Sequence, residues 1–222
     1  MKKVTIASCF AFCIAFTACN DAGTTDTTAA AADTSVTAAA SDTTTEPIAS
    51  AAPMDSAAAM KAWMEYSTPG EMHKLLSSGS GAWKAEMTMW MDPQAPPTKS
   101  VAKEVNRMIL GGRYQESKYT GSFEGQPFEG IGTMAYDNAT KKFISTWIDN
   151  MGTGLMKMEG TYDPSTKTLS QDGVGVDPTT GKDCKMRSVV TYIDDTHRKM
   201  EMYNAKPGQK EFKSMEIVLT KM

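Results

Sequence analysis

The side chains able to do chemistry are few and spread along the chain. Arg113, Glu116, Trp147 and Asp149 are polar or amphipathic residues set in stretches that otherwise alternate apolar and polar. A guanidinium near a carboxylate can orient the polar end of a ligand or close an internal ion pair. Strand parity alone does not say which way these four point. Met87, Met89 and Met91 stand at alternate positions with Trp90 beside them, a thioether spacing that would suit Cu(I), which prefers sulfur. Methionine is abundant through the whole domain, however, with 18 in the chain. Such even enrichment points to core filling or general usage, and no metal site is assigned. His73, flanked by Glu71, Met72 and Lys74, reads as a solvent-facing or capping histidine, and His197, after Asp194-Asp195-Thr196, as an exposed turn histidine. Cys184 has no motif around it and reads as a small core hydrophobe. The chain lacks a His-Glu-His cluster, a Ser-His-Asp order and a spaced acidic pair, and 177–182 lacks the glycine spacing of a phosphate loop. No catalytic residue and no cofactor is assigned, and binding is favoured over enzymatic chemistry.

The elements that must position these residues are strands. Stretch 130–163 alternates β-branched, aromatic and Met residues, broken at Asp137-Asn138-Ala139-Thr140, at Asn150-Met151-Gly152 and at Asp163-Pro164-Ser165-Thr166. Asp and Asn close turns through their own side chains, so three strands joined by tight turns follow. Before them, Trp83, Ala85, Met87, Met89 and Met91 share one face of a first strand, with Lys84, Glu86 and Thr88 on the other. Further strands are expected at about 101–110 and 113–120, separated by Gly111-Gly112, and then, beyond a turn at Gly125-Gln126-Pro127 and the central three, at 167–173, 183–193, 197–204 and 211–221. About ten short antiparallel strands make a sheet long enough to close on itself. The expected fold is mainly β, an antiparallel up-and-down barrel of about ten strands with one or two short N-terminal helices. The first would be capped by Asp55-Ser56 and carry Met60, Trp63 and Met64 at helical spacing; the second would start at Pro69, end at Gly79 and bury Met72, Leu75 and Leu76. Inward faces such as Trp83, Met87 and Met89 and, later, Met156 and Met158 suit an adaptable apolar cavity. Barrels of about eight strands can be packed solid, whereas about ten leave room for a ligand.

Ahead of this domain, 55–222, lie two segments of different character. Lys2 and Lys3 precede an apolar run at 4–16, shorter than the roughly 20 residues needed to span a bilayer, as in a secretory signal. Phe16-Thr17-Ala18-Cys19 resembles the lipobox of bacterial lipoproteins, with Phe16 in place of the usual Leu; the resemblance implies lipidation at Cys19 after cleavage of 1–19 as a signal. Plain secretion with cleavage near Ala18 is the simpler alternative. Residues 20–54 are almost wholly Thr, Ala, Asp and Ser, too poor in large apolar side chains to offset the entropy of ordering, and are expected to form a disordered tether. Cys9 and Cys13 leave with the signal, so Cys184 would have no disulfide partner within the chain. The formal net charge is −3 with no Lys or Arg cluster, which argues against nucleic acid as a partner. The expected location is the cell envelope, lipid-anchored, at the outer membrane or facing the periplasm.

Several separated blocks, Leu110-Gly111-Gly112-Arg113-Tyr114, Pro127-Phe128-Glu129-Gly130, Tyr136-Asp137, Thr146-Trp147-Ile148-Asp149, Gly152-Thr153-Gly154 and Met215-Glu216-Ile217, together with Glu71-Met72-His73-Lys74-Leu75, resemble the bacterial domain of unknown function 1579 family. That family is similar to the lipocalin and nitrobindin type of barrel. The resemblance implies that Trp83, near the start of the first strand, packs against a cationic residue late in the last, here Lys221 where relatives more often have Arg. The nitrobindin likeness would further imply haem only if a histidine such as His197 lay inside the barrel. The function expected is a lipid-anchored envelope protein whose barrel binds a small apolar ligand, with Arg113, Glu116, Trp147, Asp149, Met87, Met89, Met156 and Met158 as candidate ligand contacts. The alternative is a solid barrel serving as a structural or protein-interaction module; a copper-binding protein or a small-molecule enzyme is weaker still.

Overall fold

The structure is a computed structural model that describes residues 55–178, 180–206 and 208–222. The signal segment with Cys19 and the tether at 20–54 lie outside the described residues. Two helices, α1 (Ser56–Ser67) and α2 (Glu71–Ser78), precede ten strands: β1 (Gly81–Met89), β2 (Thr98–Ile109), β3 (Tyr114–Phe123), β4 (Gln126–Asp137), β5 (Lys142–Asp149), β6 (Met156–Asp163), β7 (Thr168–Asp177), β8 (Lys182–Tyr192), β9 (His197–Ala205) and β10 (Phe212–Lys221). Each strand pairs antiparallel with the next, and β10 pairs with β1 to close the ring. Closure satisfies the backbone groups that an open sheet leaves at its two edges. The closing seam runs from Trp83 opposite Lys221 to Met89 opposite Met215.

Local chemistry accounts for the connections. Asp137, Asp163 and Asp194 each accept a backbone N–H from two residues ahead, and each also holds a following threonine hydroxyl, so one Asx device closes three hairpins. Those bonds stabilise the carboxylates and hold all three below the ordinary range, Asp194 at about 2. The β3–β4 turn is Glu124-Gly125, with φ of 48° and 80°, the two-residue form that matches strand twist. The expected turn at Gly125-Gln126-Pro127 is thereby corrected: Gln126 and Pro127 belong to β4, opposite Phe123 and Ser122.

Helix α2 stoppers one end of the barrel. Leu76 packs with Phe143 and Leu169, and Met72 and Leu75 join the cluster half-buried. The last carbonyls of a helix lack intrahelical donors, and here the barrel supplies them: Gln115 donates to Leu76, Lys221 to Ser78 at 3.4 Å, and the Trp83 indole to Gly79 at 2.8 Å. His73 differs from the solvent-facing expectation. Its Nδ1 accepts from the Gly70 N–H at 3.0 Å, so it does cap the helix start, but it is buried with its ring edge-on to Tyr136. Burial lowers its pKa and favours the neutral ring that this capping bond requires. Helix α1 has no buried residue; Met60, Trp63 and Met64 are exposed despite their helical spacing. Among the described residues its hydrogen bonds to the barrel lie at its C-terminal end, where Asn138 Nδ2 donates to the Tyr66 and Thr68 carbonyls and Arg113 Nε to that of Ser67.

Candidate functional site: the barrel cavity

The barrel is not solid. It encloses a cavity of about 500 Å³, within the usual span of ligand pockets. Its lining is arranged in three levels along the barrel axis. At the α2 end lies a polar floor. Trp83, Glu104 and Tyr119 are cross-strand neighbours on β1, β2 and β3 and all face inward. Glu104 Oε1 accepts from Asn106 Nδ2 at 2.8 Å, and Asn106 Oδ1 in turn accepts from the Ser117 hydroxyl. From β9, the Arg198 guanidinium lies 4.9 Å from the Trp83 ring and 4.6 Å from the Tyr192 ring, and donates to the Ser78 hydroxyl at 3.2 Å. A Cβ on Gly79 would collide with that guanidinium, so glycine there makes room for the charge. Desolvation raises the pKa of Glu104, offset in part by Asn106, Tyr119 and the positive Arg198. The same burial, reinforced by the negative field of Glu104, pushes the Tyr119 phenol well above its ordinary value.

The middle level is aromatic. The Trp147 indole lies against the β4 backbone at Gly130, where any Cβ would overlap its ring. It meets Tyr119 edge-on at 5.2 Å and stacks on Phe128 at 6.5 Å. Its Nε1 donates to Asp149 Oδ2 at 2.7 Å, while Asp149 Oδ1 accepts from the Met151 backbone N–H. The carboxylate thus orients the indole and closes the turn after β5. The third level, toward the rim away from α2, is lined mainly by thioethers, among them Met89, Met91, Met151, Met156 and Met215, while Met87, Met158 and Met200 line the wall at more deeply buried positions. Such side chains fill irregular space without fixing its shape.

Of the residues singled out from sequence, Trp147, Asp149, Met87, Met89, Met156 and Met158 come together on the cavity wall. Arg113 and Glu116 do not, and their place among the ligand contacts is corrected. Arg113 sits in the β2–β3 turn with its side chain over α1, and Glu116 points outward, bonded to Arg107 at 2.8 Å. The inward residues of β3 include Gln115, Ser117, Tyr119 and Phe123, so parity places Glu116 outside. Trp83 and Lys221 do meet at the seam, with the ammonium 5.5 Å from the ring, but the better buried cation on that indole is Arg198. Cys184 is buried and is not part of the cavity lining. Neither histidine reaches the cavity: His197 is exposed and bonded to Asp194. The lining therefore offers no imidazole to hold a haem iron. Among the described residues, no three His, Cys, Asp or Glu side chains are grouped to hold a metal ion.

Sequence reasoning missed Glu104, Asn106, Gln115, Ser117 and Arg198. The β2 pattern misleads, because Val101 and Val105 are exposed while Ala102, Glu104 and Asn106 face in. The available signal was register. Once Trp83 is placed inside, antiparallel pairing with β2 carries Glu104 inside with it.

Among solved structures, the barrel is similar to the crystal structure of Rv2717c from M. tuberculosis, at 14% sequence identity and a TM-score of 0.50, over 70% of this chain and 99% of that one. At that identity the likeness is one of fold. A redesigned β-barrel, b11L5F_LGL, aligns at 15% identity and a TM-score of 0.39, over 69% of this chain and 99% of that one. No curated protein matches the sequence. Residues 68–221, which take in α2 and all ten strands, match the family described as protein of unknown function (DUF1579), and the chain belongs to that family.

Proposed function

We propose that the protein is a lipid-anchored component of the cell envelope whose barrel takes up a small, mostly apolar molecule. The observation that carries the binding half is the cavity of about 500 Å³ with thioether and aromatic walls. A void of that size left empty would cost the contacts its lining could otherwise make, and a barrel serving only as a scaffold gains nothing from it. The solid-barrel alternative loses its premise for the same reason. The anchoring half rests on Lys2, Lys3, the apolar run and Phe16-Thr17-Ala18-Cys19, followed by a polar tether. Several acyl chains on Cys19 would hold the protein firmly at a membrane, since each buried methylene contributes about 0.8 kcal/mol.

Native mass spectrometry of the protein purified from its own host tests the binding half. A retained small molecule is expected, and a barrel that remains bare under conditions preserving other complexes would count against uptake. Fractionation tests the anchor: Cys19→Ala is expected to move the protein from the membrane to the soluble fraction. Unchanged partitioning would remove lipidation from the proposal.

A further inference from the structure

The polar floor narrows the class of molecule, on the assumption that the barrel does bind an apolar one. Two floor groups keep an unused hydrogen-bonding position. Glu104 Oε2 and Arg198 Nε are both buried with no partner at hydrogen-bond distance, although each residue is otherwise engaged, Glu104 with Asn106 and the Tyr119 phenol and Arg198 with Ser78. Buried polar atoms of this kind are rare in native proteins, and each calls for an explanation. The two residues flank one indole: Glu104 is the cross-strand neighbour of Trp83, and the Arg198 guanidinium stacks on its ring. Both are less than a tenth exposed and both line the cavity.

What fits there is set by the charges that face the floor. Glu104 meets Asn106 from β2, Tyr119 from β3 and the field of Arg198 from β9; Tyr192 of β8 lies under the guanidinium, Lys221 of β10 against the indole, and α2 contributes only the neutral Ser78 hydroxyl. Burial raises the pKa of Glu104 and so weakens it as a counter-ion for the Arg198 guanidinium, which is itself buried in a low-dielectric setting. An ammonium would be repelled there. A hydroxyl would supply no charge. A carboxylate offers one oxygen to the Arg198 Nε–H and neutralises the guanidinium, and its other oxygen accepts from the Glu104 carboxyl when that group is protonated. We propose that the cavity takes an aliphatic carboxylate, with its head group at Arg198 and Glu104 and its chain along the methionine wall toward the rim.

The test compares one chain length with three head groups. The full chain carrying Cys19→Ala, which keeps its own lipid out of the assay, is titrated calorimetrically with dodecanoate, dodecanol and dodecylammonium. Dodecanoate is expected to bind at least ~10-fold tighter than dodecanol, with dodecylammonium weakest. Arg198→Met is expected to level dodecanoate with dodecanol while dodecanol keeps its affinity. Glu104→Gln, whose amide can still donate, is expected to retain the preference for the carboxylate. Equal binding of all three by the parent chain would overturn the head-group assignment and leave apolar binding standing, whereas no binding of any would overturn both. Should Arg198→Met fail to fold, the parent comparison still decides the head group, and Glu104→Leu, whose side chain cannot donate, is expected to weaken dodecanoate while dodecanol keeps its affinity; unchanged dodecanoate binding by that variant would remove Glu104 from the assignment.

Discussion

At the α2 end of the barrel Trp83, Phe143 and Leu169 are wholly enclosed and helix carbonyls are bonded to barrel side chains, whereas at the opposite rim Met91 is 80% and Met151 56% exposed. The two ends share one ring of strands and the same inward-outward alternation. What separates them is the stiffness of the side chains and the number of bonds that fix them. Aromatic rings held by directed hydrogen bonds define one geometry, while thioethers with several rotatable bonds accept many. A ligand entering such a barrel would meet adaptable surface first and a fixed polar group last. The floor is thus where discrimination is built, and the rim is where tolerance is.

The largest break in this contrast should come from Trp83→Ala. It removes a fully buried indole that bonds to Gly79 and packs against Arg198, and is expected to cost on the order of 3 to 5 kcal/mol. Urea unfolding measures it, and a loss under about 1 kcal/mol would show that the indole is no part of the closing layer. Gly130→Val comes next, because its side chain would occupy the slot of the Trp147 ring. A loss of about 1 to 3 kcal/mol is expected, with altered indole fluorescence reporting displacement of Trp147. An unchanged melting curve would mean the aromatic wall is as yielding as the rim.

Glu104 sharpens the comparison through pH. Burial raises its pKa above the ordinary 4.5 in the folded state, so in the window between the two values the native chain binds more protons than the unfolded one. Its contribution to stability is therefore most favourable below the unfolded value and declines as pH rises toward the folded one. Glu104→Gln removes that dependence, so the stability of the variant relative to its parent is expected to rise as pH increases above the ordinary 4.5. A constant difference across denaturation curves at several pH values would mean that the carboxyl titrates as an exposed one does. The smallest effect belongs to the rim. Met156→Leu, a swap of similar volume at a half-buried position, is expected to cost less than about 1.5 kcal/mol. A larger loss in the same unfolding assay would give the rim the rigidity assigned here to the floor.

Ten strands in meander order were legible in the chain because their causes are local. Period-two alternation, Asp-led turns and glycines act within a few residues of sequence, and antiparallel neighbours need only short loops to meet. The family, too, was legible from separated blocks such as Leu110-Gly111-Gly112-Arg113-Tyr114. Half of the candidate site was legible on the same terms: Trp147, Asp149 and the methionines lie on strands whose apolar residues face in. The polar floor was not. On β2 the valines face out and Glu104 and Asn106 face in, and Arg198 is brought to Trp83 by closure of the ring between the first and last strands. Sequence by itself determined the wall, since each strand carries its own alternation and its own turn. Tertiary structure alone decided which charges the wall encloses, because a residue's side of a barrel depends on pairing with strands far away in the chain.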